Sequence, residues 1–296
     1  MSLDPHRRWR RRLLLAPTTL TLLLFMLLPM LLMAWMSVLA PDTYGGVRWH
    51  EWSVDAYVQF LYERDLDDSL TLNSDYLQIF GRSFLLAGFA TVVTLLIGFP
   101  TALYIALKEE KTRQRLILLI SIPFWTNLLV RTYAWMLLLR NGGLIDSSLS
   151  ALGLSQGALD VLYTPTAVAI GFVYSFLPFM VLPIYTSLEK MDWRLVEAAF
   201  DLGANRWQAL RRVILPLAMP GIVAGCLLVF IPAIGSYYIP ELLGGGKSLM
   251  IGNLIQNQFG TARNWPFGAA LSFMLLALVM LAMWVYTRRF QRPPGE

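Results

Sequence analysis

Residues 197–216 read EAAFDLGANRWQALRRVILP, a polar and charged stretch that lies between two long apolar runs. Asp192 can cap a first short helix, and Gly203 suits the left-handed residue that ends it. Asn205, with Gln208 three residues later, forms a capping-box-like start for a second helix. These signals predict two short helices at a membrane surface, which is typical of a docking element. An ordinary amphipathic loop is the alternative.

The rest of the chain is more apolar than a soluble domain. Of its 296 residues, 56% are hydrophobic and 15% are charged, and the mean hydropathy is +0.55. A helix needs about 20 residues to cross a hydrocarbon core of about 30 Å. Because unpaired backbone is costly in lipid and no barrel-like alternation occurs, the six long apolar runs are predicted to be helices. The sequence therefore predicts an all-α membrane protein, with residues 1–296 in one transmembrane domain. The six predicted spans are 13–39, 79–107, 116–139, 167–187, 217–240 and 267–286.

The basic residues indicate how these helices are oriented. Lys and Arg are retained on the cytoplasmic side of short connecting segments. If the N-terminus is inside, 17 of the 24 basic residues also lie inside. This arrangement predicts cytoplasmic N- and C-termini, a cytoplasmic loop at 188–216 and an outer loop at 40–78. It also explains the net charge of +5, so no nucleic-acid partner is inferred. The inner residues are Arg7, Arg8, Arg10, Arg11, Arg12, Lys108, Lys111, Arg113, Arg115, Lys190, Arg194, Arg206, Arg211, Arg212, Arg288, Arg289 and Arg292.

Two features of the N-terminal part, the first span and the loop that follows it, each allow two interpretations. A basic segment precedes the first span, as in a signal peptide, but the apolar run of 27 residues is too long for one. We predict a retained helix that is interrupted at Pro17 and Pro29. The outer loop is acidic, and this charge either attracts a cationic solute or a basic partner, or reflects only the shortage of Lys and Arg outside. Its acidic residues are Asp42, Glu51, Asp55, Glu63, Asp65, Asp67, Asp68 and Asp75, against Arg48 and Arg64.

Residues that could support catalysis or metal binding are scarce. Cys226 is the single cysteine, and His6 and His50 are predicted to lie on opposite sides of the membrane. The sequence has no phosphate-binding GxxxxGK[ST] loop, no Ser/His/Asp set and no intramembrane carboxylate pair. A membrane-embedded enzyme is therefore poorly supported. If ATP drives this protein, another subunit binds the ATP.

Prolines and glycines recur within the predicted spans. Each proline removes a backbone hydrogen bond and can kink its helix. Gly221 and Gly225 form a GxxxG step, which allows close helix packing either within the subunit or against a sister subunit. The span prolines are Pro100, Pro123, Pro178, Pro183 and Pro232.

Most candidates for a solute pathway are aromatic. Aromatic faces attract ammonium groups, although Trp and Tyr also mark membrane interfaces. Arg131 is the one basic residue well inside an apolar run, and it either faces a polar cavity or a partner, or reaches towards the outer face. Glu241 is either a cation entrance or part of a structural outer loop. The candidates are Trp125, Arg131, Tyr133, Trp135, Tyr174, Tyr237, Tyr238 and Glu241.

The stretch at 197–216 resembles the EAA loop of importer-type ABC transporter permeases. Longer strings, among them PFWTNLLVRTYAW, LPFMVLPIYTSLEKMDW and IPAIGSYYIPELLGG, make nearly the whole chain similar to the permeases of bacterial spermidine/putrescine importers. The resemblance implies a type I importer permease fold with a cytoplasmic coupling helix. Glu197, Ala198, Ala199 and Gly203 would shape that helix, with Gly203 at a turn that needs positive φ and close contact.

The resemblance also implies a set of partners in the bacterial inner membrane. These are a second homologous permease subunit, a dimer of an ATP-binding cassette ATPase, a periplasmic solute-binding protein, membrane lipid and a polyamine substrate. ATP and Mg would be held by the partner ATPase, and this chain would carry no cofactor. We therefore expect a transport subunit, not an enzyme, that moves putrescine or spermidine by alternating access.

The substrate is the weakest part of this expectation. A polycation should prefer carboxylates, yet no Asp or Glu lies at mid-membrane depth and Arg131 would repel it unless paired. Selectivity would then lie mainly in the binding protein, the sister permease, and aromatic or carbonyl contacts. One alternative is an ABC permease for another small solute, such as an opine, an amino-acid derivative, sulfate or ferric iron. Another is an ion-coupled secondary transporter, which would need buried ionisable residues.

Overall fold

The structure is a computed structural model that describes residues 5–64, 70–153 and 160–290. Helix dominates these ranges, as the composition predicts. The helices are α1 (Pro5–Leu22), α2 (Leu28–Met36), α3 (Asp55–Val58), α4 (Asp75–Ala106), α5 (Glu110–Ser121), α6 (Leu128–Leu139), α7 (Leu144–Ala151), α8 (Pro165–Glu189), α9 (Arg194–Asp201), α10 (Arg206–Ala209), α11 (Leu215–Gly235), α12 (Tyr238–Gly244), α13 (Ile251–Phe259) and α14 (Trp265–Phe290). Four short strands also occur, β1 (Leu39–Pro41), β2 (Val47–Trp52), β3 (Tyr62–Arg64) and β4 (Leu70–Leu72).

Five helices in the described ranges are long and apolar enough to cross a membrane, and a bent pair makes a sixth if its two helices cross as one span. The five are Leu14–Met36, Asp75–Ala106, Pro165–Glu189, Arg206–Gly235 and Trp265–Trp284. The chain divides into two compact units, residues 1–77 with 254–296 and residues 78–253. The single domain expected across residues 1–296 stays a prediction.

The first unit contains the first and last spans and the outer loop 40–78. The loop is not wholly irregular, because β1 pairs antiparallel with β2 and β3 with β4. Trp35 at the end of α2 stacks on Trp52 of β2, with ring centroids 6.4 Å apart. Tyr76 meets Phe267 of α14 edge to face at 5.1 Å. Aromatic contacts therefore tie the loop to both spans of this unit.

Part of the acidity of the outer loop is neutralised locally. The Arg48 guanidinium lies 3.4 Å from Asp42 and 3.0 Å from Glu51, and these two carboxylates raise the pKa of Arg48. Because Asp42 and Glu51 are paired with Arg48, their charge does not require a cationic solute or a basic partner. Asp65, Asp67 and Asp68 lie outside the described residues, and so does Arg292 among the predicted inner cations.

The first span differs from the prediction at one of its two prolines. Helix α1 continues through Pro17, where an interruption was expected, because a proline removes only one hydrogen bond and the turns around it remain intact. A π-helical turn, Leu23–Leu27, occurs just before Pro29. A π turn shifts the bonding register, and this is one way to accommodate a residue that lacks an N–H.

The core of the second unit is formed by α4, α8 and α11. Met180 and Ile184 of α8 are fully buried and pack with Ala102 of α4 and Ala218 of α11. The GxxxG step lies at this α8–α11 contact. A Cβ atom at Gly221 would lie 2.5 Å from the carbonyl oxygen of Pro183, and one at Gly225 would lie 2.8 Å from the sulfur of Met180. The close packing therefore occurs within this chain.

The third predicted span, residues 116–139, is not one helix. Helix α5 and the 3₁₀ turn Ile122–Trp125 meet α6 at a bend of 90°. Pro123 has no N–H to continue the hydrogen-bond ladder, and Thr126 is extended. Asn127 then starts the new helix, since its side chain accepts a hydrogen bond from the backbone N–H of Leu129 at 2.8 Å. Apolar composition predicted the length of this segment but not the break.

The fifth predicted span, residues 217–240, ends earlier than expected. Helix α11 stops at Gly235, Ser236 is extended, and α12 begins at Tyr238. Pro240 explains the change, because it lacks an N–H and fits in the first turn of a new helix, where that N–H would have no partner. In the predicted long helix it would have removed an interior hydrogen bond.

Candidate functional site

Helix α9 carries Glu197, Ala198 and Ala199. The carboxylate of Asp192 accepts a hydrogen bond from the backbone N–H of Arg194 at 3.1 Å, as the predicted cap requires. Val196 is 7% exposed and packs into the core formed by α4, α8 and α11. Glu197 and Ala198, on the other side of α9, are exposed. One face of this helix is therefore anchored in the protein, while Glu197 and Ala198 face outward and Ala199 is half-buried.

The turn after α9 is built around Gly203. This residue has φ of +81°, as predicted, and its N–H donates to the carbonyl of Phe200 at 2.9 Å. The close contact expected at this position is not made by the described chain, since a Cβ at Gly203 would have no atom within 4 Å. Glycine is needed here for its left-handed backbone. Any close contact must come from a molecule that docks on the turn.

The second predicted short helix begins as expected and then differs. Asn205 accepts a hydrogen bond from the N–H of Gln208 at 2.8 Å, and the Gln208 side chain accepts one from the N–H of Asn205 at 2.9 Å. This reciprocal pair is the predicted capping box. However, α10 is not a separate helix, because a π turn at Leu210–Ile214 joins it directly to α11. The fifth span therefore starts within the loop 188–216.

Large apolar side chains are exposed around this turn. Leu202 is 89% exposed and Trp207 is 66% exposed. Leu195 and Phe200 are also exposed, at 50% and 45%, and we call these four residues the exposed loop face. Sequence reasoning did not select them, although two bulky apolar residues on either side of a glycine turn in a polar loop are a signal for docking. Contiguous exposed apolar groups on a folded protein are typical of a protein-binding surface.

The pathway candidates fall into two ring pairs and several separate residues. Trp135 of α6 meets Tyr174 of α8 edge to face, with centroids 5.3 Å apart. Tyr237 and Tyr238 lie together at 3.7 Å, at the start of α12. Trp125 and Tyr133 are 85% and 52% exposed and belong to neither pair. Helix α12 packs against both α6 and α8, so this part of the second unit brings the helices of both pairs together.

Glu241 is held by a residue that sequence reasoning missed. The side-chain nitrogen of Asn253 donates to the Glu241 carboxylate at 2.8 Å and to the backbone carbonyl of Tyr237 at 3.0 Å. Asn253 is 3% exposed. Nothing in the sequence around residue 253 indicates this contact, because it joins α12 to α13 through the tertiary fold. The arrangement supports the structural interpretation of Glu241.

Arg131 lies in the first turns of α6, close to the positive end of that helix. Its Nε and Nη1 atoms are buried, and no described residue accepts a hydrogen bond from either. Two buried nitrogens indicate a side chain that faces protein, not one that reaches out to the membrane surface. A guanidinium in this state attracts an acceptor from a partner or a bound molecule.

No resident ion site is apparent in the part of the chain that the structure describes. Within residues 5–64, 70–153 and 160–290, no three His, Cys, Asp or Glu side chains are grouped so as to hold a metal ion. The arrangement thus consists of an anchored loop with an exposed apolar face and a set of paired aromatic rings between membrane helices. It suits docking and passage of a solute.

Comparison with known proteins identifies the family. The sequence profile of the binding-protein-dependent transport system inner membrane component matches residues 5–292. The chain belongs to this family. The spermidine/putrescine transport system permease protein PotB of Escherichia coli K12 is 42% identical to this permease over 90% of the chain and 93% of the relative. PotB of Haemophilus influenzae is 47% identical, over 73% of the chain and 76% of the relative.

More distant proteins agree on the architecture. The inner membrane ABC transporter permease protein YdcU of Escherichia coli K12 is 33% identical over 69% of the permease and 68% of the relative. A bacterial ABC transporter that imports the acidic polysaccharide alginate superimposes with a TM-score of 0.67 at 18% identity, over 96% of the permease and 97% of that chain. The structure of a bacterial alginate ABC transporter in complex with an alginate pentasaccharide-bound periplasmic protein superimposes with a TM-score of 0.68 at 19% identity, over 98% of each chain. The structural matches confirm the predicted importer permease fold. The family profile and the named relatives confirm that the chain is a transport component and not an enzyme.

Proposed function

We propose that this permease moves putrescine or spermidine across the inner membrane by alternating access, driven by a separate ATPase. The observation that carries the coupling mechanism is the loop 188–216, which is anchored in the helical core by Val196 and exposes Leu202 and Trp207. The cargo is inferred from relatives named as spermidine/putrescine permeases. The N- and C-termini are proposed to be cytoplasmic, on the basis of the distribution of Lys and Arg.

The proposed assembly contains four kinds of component. A second homologous permease subunit completes the pathway, a dimer of an ATP-binding cassette ATPase binds ATP and Mg, and a periplasmic binding protein delivers the cargo. This chain contributes the membrane pathway and the docking loop. Glu197, Ala198, Ala199 and Gly203 shape the helix and turn that enter the ATPase groove.

Coupling then follows from where the loop is attached. The exposed loop face contacts the ATPase, while Val196 and Met191 on the opposite side are buried with residues of α8 and α11. When ATP closes the ATPase dimer, force on the loop is transmitted to these membrane helices because the packed core resists local deformation. Hydrolysis releases the ATPase and restores the inward-open arrangement.

The pathway favours weak, non-specific contact with a polycation. The rings of Trp135, Tyr174, Tyr237 and Tyr238 offer faces that attract ammonium groups. Glu241 already accepts a hydrogen bond from Asn253, so it has limited capacity for a cation. A transporter must release its cargo, and shallow aromatic contacts allow this. Tight selection is then the task of the binding protein and the sister subunit.

Arg131 favours a second candidate cargo within the same class. A half-buried guanidinium whose Nε and Nη1 have no acceptor among the described residues suits a solute that carries a carboxylate, such as an opine or another amino-acid derivative, better than it suits a polyamine. In that case the coupling mechanism is unchanged and only the cargo differs.

Uptake of labelled solutes separates these possibilities. Cells that lack their own polyamine importers would express the permease with its neighbouring operon subunits, and uptake of putrescine, spermidine and an octopine-type opine would be compared. We expect ATP-dependent uptake of a polyamine that excess unlabelled spermidine suppresses and the opine does not. Uptake of the opine alone would overturn the polyamine cargo and leave the coupling mechanism standing.

A further inference from the structure

We infer that Arg113 and Glu189 form a charge link that, with Tyr185, positions α5 against the start of the loop 188–216 and transmits loop movement to the bent span. The inference rests on the proposed function, since it concerns how movement of that loop reaches the pathway. The hydroxyl of Tyr185 donates to the Glu189 carboxylate at 2.5 Å, and the Arg113 guanidinium lies 3.6 Å from the same oxygen. All three are positioning residues.

Each of the two charges lies at the end of its helix where the helix dipole disfavours it. Glu189 is the last residue of α8, where the helix dipole disfavours an anion. Arg113 lies in the first turns of α5, where the dipole disfavours a cation. Each charge is unfavourable in its own helix and favourable beside the opposite end of the other helix. Their pairing therefore stabilises one arrangement of the two helix ends.

Tyr185 connects this pair to the loop. It is 7% exposed and belongs to the same buried core as Met191 and Val196, which anchor α9. Its hydroxyl fixes the Glu189 carboxylate from inside the core, while Arg113 approaches the same carboxylate from α5. A displacement of α9 thus reaches α5 through Tyr185 and the ion pair, in addition to the apolar contacts that Leu116, Ile117 and Ile120 make with the same core.

Helix α5 leads directly to the most deformable point of the second unit. It ends in the 3₁₀ turn at Ile122–Trp125, and the chain then bends by 90° into α6, which carries Arg131 and Trp135. The bend is held by local bonds at Thr126 and by the cap at Asn127, so α6 can reorient as a unit when α5 is moved. The link therefore joins the docking loop to the segment that carries pathway candidates.

The test uses the purified complete complex in proteoliposomes, with cargo transported per ATP hydrolysed as the readout. Arg113→Gln and Glu189→Gln are each expected to lower this ratio by about two- to fivefold, the range for a partly exposed ion pair. The double variant should lower it no further, and the reversed pair Arg113→Glu with Glu189→Arg should recover it in part, because the new arginine restores the ion pair but cannot accept the hydrogen bond from Tyr185. Arg115→Gln, an exposed cation on the same helix, is the matched control and should leave it unchanged.

Thermal midpoints of the same variants separate positioning from general stability. Losses that add in the double variant, a reversed pair no better than the single variants, or a ratio that stays native while the midpoint falls would each overturn the link. Tyr185→Phe keeps the packed ring and removes the hydroxyl, so it should reproduce the Glu189→Gln effect if the hydrogen bond matters.

A cargo-independent readout keeps this test distinct from that of the proposed function. Val130 on α6 is 64% exposed, and a Val130→Cys reporter in a Cys226→Ala background can be alkylated with and without ATP. We expect ATP to change the alkylation rate when the pair is intact and to have no effect in Arg113→Gln or Glu189→Gln. If ATP changes the rate equally in all of them, the link is wrong. If the pair controls the rate but no polyamine is transported, the cargo proposal is wrong and the link stands.

Discussion

Two places in the second unit turn the chain sharply, and they are built in different ways. The turn between α9 and α10 is fixed by the left-handed Gly203 and by two reciprocal hydrogen bonds between Asn205 and Gln208. The bend between α5 and α6 is held at Pro123, whose carbonyl accepts hydrogen bonds from the N–H and the hydroxyl of Thr126 at 3.3 and 2.7 Å, and by the cap at Asn127. In the first turn, the N–H groups of Gly203, Asn205 and Gln208 all donate hydrogen bonds. The second turn lies next to Arg131, whose Nε and Nη1 have no acceptor among the described residues. We conclude that the first suits a rigid docking surface and the second suits a hinge.

The largest expected effect is at the rigid turn between α9 and α10, where the ATPase is proposed to dock. Leu202→Asp should weaken binding of the ATPase at least about 30-fold, because exposed apolar anchors at the centre of an interface contribute about 2 kcal/mol or more. Leu152→Asp is the matched control, since Leu152 is 71% exposed on a different segment. Affinity of the permease complex for the purified ATPase checks this. Equal binding by both variants would remove the exposed loop face from the interface.

Removal of each cap sharpens the difference between the two turns. Asn205→Ala breaks a reciprocal pair and should reduce the free energy of unfolding by about 1 kcal/mol or more, whereas Asn127→Ala breaks one exposed cap and should cost about half as much. Thermal unfolding of the detergent-solubilised complex measures both. Asn205→Asp and Asn127→Asp retain the acceptor and serve as controls. A larger loss at residue 127 would reverse the assignment of rigid turn and hinge.

The smallest expected effect, and one of opposite sign, is at Arg131. Arg131→Met replaces a half-buried guanidinium, whose Nε and Nη1 have no acceptor among the described residues, with an apolar side chain of similar length. It should raise the thermal midpoint of the separately purified permease by about 2 °C. Arg140→Met changes an exposed guanidinium at the other end of α6 and should give no rise. A fall at Arg131→Met would mean that the guanidinium is already bonded within the subunit.

The same contrast explains what the sequence could predict. Asp192, Gly203, Asn205 and Gln208 act through contacts one to three residues away, so their spacing was enough to predict the caps and the turn. Pro123 was named among the prolines that can kink a span, but the break at Thr126 and Asn127 was not predicted, because apolar composition reports length and not backbone continuity. A closer look at Asn127, a good N-cap that follows a proline at short distance, would have indicated a new helix start.

Contacts between separate helices could not be predicted from local sequence patterns. The pairing of Trp135 with Tyr174 and of Glu241 with Asn253 depends on how separate helices pack. Trp135, Tyr174 and Glu241 were selected as candidates from their residue types. No local pattern indicates that Asn253 is the partner of Glu241. The continuation of α10 into α11 was also missed, because the loop was predicted to run to residue 216 and the span to begin at residue 217, whereas the π turn at Leu210–Ile214 joins the two helices without a break.

The central claim is that the turn at Gly203 passes the force of ATP hydrolysis to the membrane helices. Its most direct test is polyamine transported per ATP hydrolysed in proteoliposomes that contain the native complex, Gly203→Asp or Gly153→Asp. Gly153 has φ of +69° with no atom of the described residues within 4 Å of an added Cβ, so it carries the same backbone strain outside the loop. We predict that Gly203→Asp lowers the ratio at least about tenfold, a barrier of about 1.4 kcal/mol, and that Gly153→Asp leaves it near the native value. A native ratio in correctly assembled Gly203→Asp would contradict the claim.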